Sequence, residues 1–141
     1  MSDVLALISR ALMSAVFIVY GYFKFVDVNS IINLGGTKRF MDMVAGGATA
    51  PAWLGYLIAA VEVLGGLAIL VGIKTRWVAW GMVIYLIIAT YLGHPFWLME
   101  GAARGANQSH FYKNIAIIAA YLMIIVAGPG RYSVDGRSGK A

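Results

Sequence analysis

Apolar residues run through this chain in four long blocks separated by short polar segments. At about 1.5 Å of rise per helical residue, each block is long enough to cross a hydrocarbon layer of about 30 Å, so the pattern predicts four transmembrane helices. The first runs from about Val4 to Val26 and contains Arg10 and Lys24. Both lie near an end, where a long side chain can reach the interface. The second opens with Pro51 at its first turn and continues to about Gly72, with Glu62 as its one charge. The third, Trp77 to Gly93 or His94, carries no charge and stops where Pro95 disfavours helix at the preceding residue. The fourth runs from about Phe111 to Ala127 or Gly128 and ends at Gly128, Pro129 and Gly130.

An even number of spans places both termini on one side. Lys74, Arg76, Arg131, Arg137 and Lys140 fall on that side, and Lys38, Arg39 and Arg104 on the other. Five loop cations against three favour an N-in, C-in orientation by the positive-inside rule. Trp53, Trp77, Trp97, Tyr22 and Tyr112 lie near span ends, as an interfacial aromatic belt requires. The longest connection, Asp27 to Ala50, holds an apolar and basic patch from Thr37 to Val44 in which Phe40 and Val44 could share one face of a short interfacial helix. A solvated loop fits the same stretch. Small residues four apart, Ala11 with Ala15, Gly55 with Ala59 and Ala116 with Ala120, suit close helix contacts.

Composition agrees with this pattern and removes alternatives. Of 141 residues, 61% are hydrophobic and 12% charged, with a mean hydropathy of +0.80. Six acids and eleven bases are too few to wet the surface of a soluble globule of this size. The expected fold class is therefore all-α, an integral membrane four-helix bundle occupying residues 1–141 as a single domain. With no Cys there is no disulfide framework, thiolate metal site or iron–sulfur cluster. The net charge of +5 is spread along span ends, so nucleic acid is not an expected partner. The first apolar run is too long for a signal-peptide core and lacks a basic lead, so it is expected to stay attached.

Ionisable groups at membrane depth are the informative ones, because each is costly there without a partner or water. Glu62 lies about 13 Å along its span from one end, and Arg10 about 9 Å from the other face, so an extended Arg10 could reach it. The expectation is a structural ion pair, Arg10 with Glu62; the alternative makes Glu62 a proton-handling carboxylate. A second set ends or begins spans on one side: Lys24, His94, Lys113 and Asn114, beneath Tyr22, Phe96, Trp97, Phe111 and Tyr112. Convergent donors with an imidazole below aromatic rings suit a planar, carbonyl-bearing head group such as a quinone. Interface anchoring is the competing reading of the same lysines and aromatics. His94 and His110 are poor axial haem ligands, since His110 is read as preceding its helix in a polar Asn107, Gln108, Ser109 run. No metal and no haem are expected, and no dinucleotide or phosphate-loop fingerprint is present.

These residues form an ordered set. It comprises Arg10, then Gly21, Tyr22, Phe23 and Lys24, then Glu62 with Gly65 and Gly66. Gly72 to Arg76, Gly93 with His94, Phe111 to Asn114, Gly128 to Gly130 and Ser133 to Asp135 complete it. In this set and over nearly its whole length the chain resembles the DoxX family of small four-helix membrane proteins of the bacterial inner membrane. The resemblance implies four transmembrane helices and membrane subunits of quinone-reducing oxidoreductases, or anchors for thiol-stress partners. Any sulfur chemistry would belong to a partner, since this chain has no Cys.

The resulting expectation is a quinone-interacting subunit of a membrane oxidoreductase system. Lys24, His94, Trp97, Lys113 and Asn114 contact the head group, and His94 or Glu62 relays protons as the catalytic pair. Partners are the lipid bilayer, a redox partner protein that supplies electrons, and, as an option, further copies in a homo-oligomer. The rival reading is a non-catalytic membrane scaffold or small-molecule carrier.

Overall fold

A computed structural model describes residues 2–139; Lys140, counted above among the cations of the terminal side, lies outside the described residues. The chain folds into α1 (Ser2–Val26), α2 (Val28–Ile32), α3 (Gly35–Ala45), α4 (Ala52–Val71), α5 (Thr75–Gly93), a 3-10 turn (Phe96–Leu98), α6 (Gly101–Ala127) and α7 (Val134–Arg137). Four of these, α1, α4, α5 and α6, are long and apolar enough to span a membrane. No strand occurs among the described residues.

The bundle is built from two antiparallel pairs, α1 with α4 and α5 with α6. In α1 the buried positions are Arg10, Ser14, Phe17 and Gly21; in α4 they are Gly55, Ala59, Glu62, Gly66 and Ile69. Both series advance by alternating steps of four and three residues, the seam that lets two helices lie nearly parallel with interlocking side chains. Glycine brings the axes together. A Cβ at Gly66 would sit 2.9 Å from Ile18 Cγ1 and 3.2 Å from the Ser14 carbonyl oxygen. The two pairs meet at a core formed by Phe17, Ile69, Met82, Leu86, Tyr121 and Ile124, where the Phe17 and Tyr121 rings lie 5.9 Å apart. Large apolar side chains such as Leu12, Ile84 and Val126 face outward. That is the expected surface when lipid replaces water as solvent.

Two details differ from the sequence pattern, and one alternative it left open is decided. Of the small pairs only Gly55 with Ala59 is buried; Ala11, Ala15 and Ala116 face outward. The seam is set by the whole four-three series, and an isolated small pair does not say which face it lies on. The connection between α1 and α4 is helical: Asp27 caps α2 by accepting from the Asn29 and Ser30 amides, and Gly46 ends α3 in the left-handed region. Its buried face carries Thr37 and Met41, whereas Val44 is exposed. Finally, α6 begins at Gly101, ten residues before the apolar block, because Ala102, Ala103, Arg104, Ala106 and Gln108 are good helix formers. Hydropathy marks where the bilayer is, not where the helix starts. His110, expected before the helix, therefore lies within it.

Candidate functional site

Near the middle of the bundle two helices direct polar side chains at a carboxylate carried by a third. Lys24, in the last turn of α1, donates from Nζ to Glu62 Oε1 at 2.5 Å. The Tyr85 hydroxyl, from the middle of α5, donates to the same oxygen. The Glu62 side chain is 7% exposed and that of Lys24 22%, so the pair is largely removed from solvent. Glu62 Oε2 is buried and accepts no hydrogen bond among the described residues. Gly21, one turn before Lys24, makes this geometry possible: a Cβ there would approach Val63 Cγ2 to 2.8 Å and Glu62 Cβ to 3.0 Å. Without that atom α1 lies close enough on α4 for the lysine to reach the acid.

Chemically the cluster joins a carboxylate, an ammonium and a phenol in a low-dielectric setting. Lys24 and Tyr85 are donors, and the open lone pairs on Oε2 can take a proton or a further donor. A charge at this depth is costly unless paired, and half of this carboxylate is not satisfied.

The expected Arg10–Glu62 pair does not form. Arg10, 1% exposed, donates from Nη1 to the carbonyls of Ile69 (3.2 Å) and Leu70 (2.6 Å), and from Nη2 to the Tyr132 carbonyl (2.5 Å). The seam sets Arg10 opposite Ile69, two turns from Glu62, or about 10 Å along the axis. At that height it meets the last carbonyls of α4, which have no partner within their own helix and carry the negative end of its dipole.

Arg10 belongs to a polar joint that closes the end of the bundle bearing both termini. Asp135 accepts from the Lys74 amide (2.9 Å) through Oδ1, and from the Thr75 amide (2.7 Å) and hydroxyl (2.8 Å) through Oδ2. It thereby caps α5 from the far end of the chain. Its own amide donates to the Gly72 carbonyl at 2.9 Å. Gly72 has a positive φ of 72°, and a Cβ there would lie 2.3 Å from Ser133 Cβ. Asp3 adds a bond from the Arg131 amide at 3.0 Å. Gly72 to Thr75 and Ser133 to Asp135 are thus parts of one joint.

The residues of the rim set bond to separate partners. His94 Nδ1 lies 3.0 Å from Asn107 Oδ1, and its ring stacks on that of His110 at 5.1 Å and 20°. Asn114 donates to Thr90 Oγ1 at 3.0 Å, tying α6 to α5. Lys113 is exposed and makes no hydrogen bond or ion pair among the described residues. Trp97, 45% exposed, packs edge-on against Phe96 and Phe111. Lys24 belongs to the α1–α4 pair, while His94 and Asn114 serve the α5–α6 pair. No hydrogen bond or ion pair among the described residues joins Lys24 to His94, Trp97, Lys113 or Asn114. Tyr85 went unnoticed in the sequence, yet a phenol in mid-span needs an acceptor and carries its own signal. No group of three or more metal-ligating side chains occurs among the described residues.

Four apolar helices around a buried polar centre define a polytopic membrane protein. The DoxX family model matches residues 5–95, and the chain belongs to that family. It is 32% identical over 134 residues to the inner membrane protein YphA of Escherichia coli K12, covering 95% of this chain and 90% of that one. It is also 32% identical over 135 residues to the inner membrane protein YqjF of the same organism, covering 96% and 92%. A Surfeit locus protein 4 homolog of Schizosaccharomyces pombe is 24% identical over 98 residues, covering 68% of this chain and 32% of that one. No solved structure gives a significant match. With four spans and these relatives, the chain is a multi-pass protein of the bacterial inner membrane.

Proposed function

We propose that this protein is a quinone-interacting membrane subunit whose proton-handling centre is the cluster of Lys24, Glu62 and Tyr85. The observation that carries this reading is the buried Glu62 carboxylate, with one oxygen held by an ammonium and a phenol and the other without a partner among the described residues. Ionisable groups at membrane depth mark proton or substrate paths far more often than soluble-protein experience suggests. A quinone at this centre would supply the redox chemistry, taking two electrons from a partner protein and two protons on reduction. The chain's part is to hold a carbonyl oxygen with a remaining N–H of Lys24 and to pass a proton at Glu62 Oε2, while Tyr85 holds Oε1. Lys24, whose side chain is partly exposed and lies in the last turn of α1, gives the proton path its way to the surface. With the expected N-in, C-in orientation this path opens to the outer side. His94, stacked on His110 at that end, remains the candidate for the outer proton relay.

The test is photo-crosslinking of an azido-benzoquinone to the purified protein in lipid nanodiscs, mapped by mass spectrometry. Labels are expected on the last turn of α1 and beside Glu62 and Tyr85, reduced in Glu62→Gln and Lys24→Met and unchanged in Lys113→Ala. Labelling that is indifferent to Glu62→Gln overturns the reading. A non-catalytic scaffold or small-molecule carrier is the second reading. It is favoured by Arg10 and Asp135, whose hydrogen bonds tie distant segments together. That reading expects both centre variants to change stability alone.

A further inference from the structure

At the end of the bundle away from the termini, α3 leans on the end of α5 and leaves a cleft of about 250 Å³. Its walls are Arg39, Asp42 and Met43 of α3, Tyr91 and Leu92 of α5, and Trp97 beyond Pro95. Gly36 allows the close approach, since a Cβ there would lie 3.0 Å from Gly93 Cα. Arg39 is fixed in place by one bond, Nη1 to the Leu92 carbonyl at 2.7 Å. A guanidinium has five N–H donors, so most remain for something else. Asp42 lies three residues further on, hence on the same face of the helix, and makes no ion pair or hydrogen bond among the described residues. The opposite wall is apolar and aromatic, with the Tyr91 and Trp97 rings 5.8 Å apart.

We infer that this cleft holds the head group of a phospholipid carrying both a phosphate and a primary ammonium. The site offers a fixed cation and an unpaired anion side by side, with an aromatic wall leading toward the hydrocarbon. A phosphate accepts from Arg39 in the geometry guanidinium favours. An ammonium on a two-carbon bridge then reaches Asp42, and the first methylenes lie along Tyr91 and Trp97. Phosphatidylglycerol offers Asp42 only neutral hydroxyls in place of an ammonium, and a quaternary ammonium has no N–H for it. The volume is below the roughly 300–1,000 Å³ of drug-sized pockets, which suits a head group whose tails stay in the bilayer. Tryptophan at a span end marks the depth at which such head groups sit.

The test measures lipid retention by native mass spectrometry after the protein is equilibrated in mixed micelles. The micelles contain equal phosphatidylethanolamine, phosphatidylcholine and phosphatidylglycerol. Phosphatidylethanolamine is expected to be retained about tenfold over the other two, the ratio that one charge-assisted hydrogen bond supplies. Asp42→Asn should abolish that preference with the melting temperature unchanged, because Asp42 is exposed and supports no other group. Arg39→Gln should lower retention of all three. Equal retention by the wild type, preference for phosphatidylglycerol, or an unaltered preference in Asp42→Asn each overturns the inference, as does a dimer that covers the cleft.

Discussion

Lys24 and Glu62 meet across the α1–α4 seam at 2.5 Å, from helices that run in opposite directions and at a point where Gly21 removes the side chain that would hold them apart. Breaking one half of such a pair leaves a charge in a medium that cannot solvate it. Lys24→Met is therefore expected to destabilise the protein by about 3 kcal/mol, since Glu62 then stays buried without a counter-charge. Glu62→Gln strands the ammonium less severely, because Lys24 keeps contact with the surface. The double variant Lys24→Met with Glu62→Gln should recover most of the loss. Thermal unfolding in one detergent, read across this cycle, gives the coupling. Additive losses in the double variant would show that the two side chains do not depend on each other.

Arg10 supports a different prediction. Its guanidinium joins the last turn of α4 to the segment before α7 through three carbonyls, and no other described side chain makes those bonds. Arg10→Met removes them while keeping the stem, and about 2–4 kcal/mol of stability is expected to go with them. Arg10→Lys should restore only a fraction, since one ammonium cannot bridge directions set by a planar fork. Limited proteolysis checks the mechanism: cleavage after Arg131 should accelerate in both variants before the spans themselves are cut.

The positions of the spans could be read from the sequence because hydropathy reports directly on the solvent each segment occupies. Side-chain pairing could not, for a geometric reason. Matching Arg10 to Glu62 by depth considers only charged side chains, whereas the unpaired carbonyls of Ile69 and Leu70 compete for the same guanidinium and lie closer. Likewise chain direction brings Lys24, His94, Lys113 and Asn114 to one end of the bundle, but depth says nothing about which way around each helix they face. Thr90 takes Asn114 and Asn107 takes His94, both within the α5–α6 pair. The start of α6 was hidden because its first residues are polar yet strong helix formers. The importance of Glu62, by contrast, was plain from its being the one charge in an otherwise apolar block.

Asp135 caps a helix that begins sixty residues earlier in the chain, holding the Lys74 and Thr75 amides and the Thr75 hydroxyl at once. Lys74 precedes α5 with a positive φ of 45°, a strained entry that this cap holds in place. Asp135→Ala is expected to cost about 1–2 kcal/mol, as for loss of a helix N-cap. Asp135→Asn should cost less, because one acceptor oxygen survives. Hydrogen exchange at the first turn of α5 supplies the local readout, with faster exchange at Lys74 and Thr75 and little change near Tyr85. Uniform acceleration along α5 would mean that the cap supports the whole helix rather than its entry.

The expected orientation rests on the loop cations of the two sides. The sequence assigns Lys74, Arg76, Arg131, Arg137 and Lys140 to the terminal side, against Lys38, Arg39 and Arg104 on the other. We expect both termini in the cytoplasm, so a fluorescent protein fused after Ala141 should fluoresce and alkaline phosphatase fused there should be inactive. Phosphatase inserted at Gly46, in the left-handed turn that ends α3, should be active. The bias is small, and this yields a sharper test. Replacing Arg131 and Arg137 with Gln leaves three cations on each side, and a mixed population is expected by the positive-inside rule. Both side chains are exposed and neither donates a hydrogen bond among the described residues, so the change acts on insertion rather than on packing. A single orientation in that variant would mean that something other than loop charge, such as the polar first turns of α6, decides which way the bundle enters the membrane.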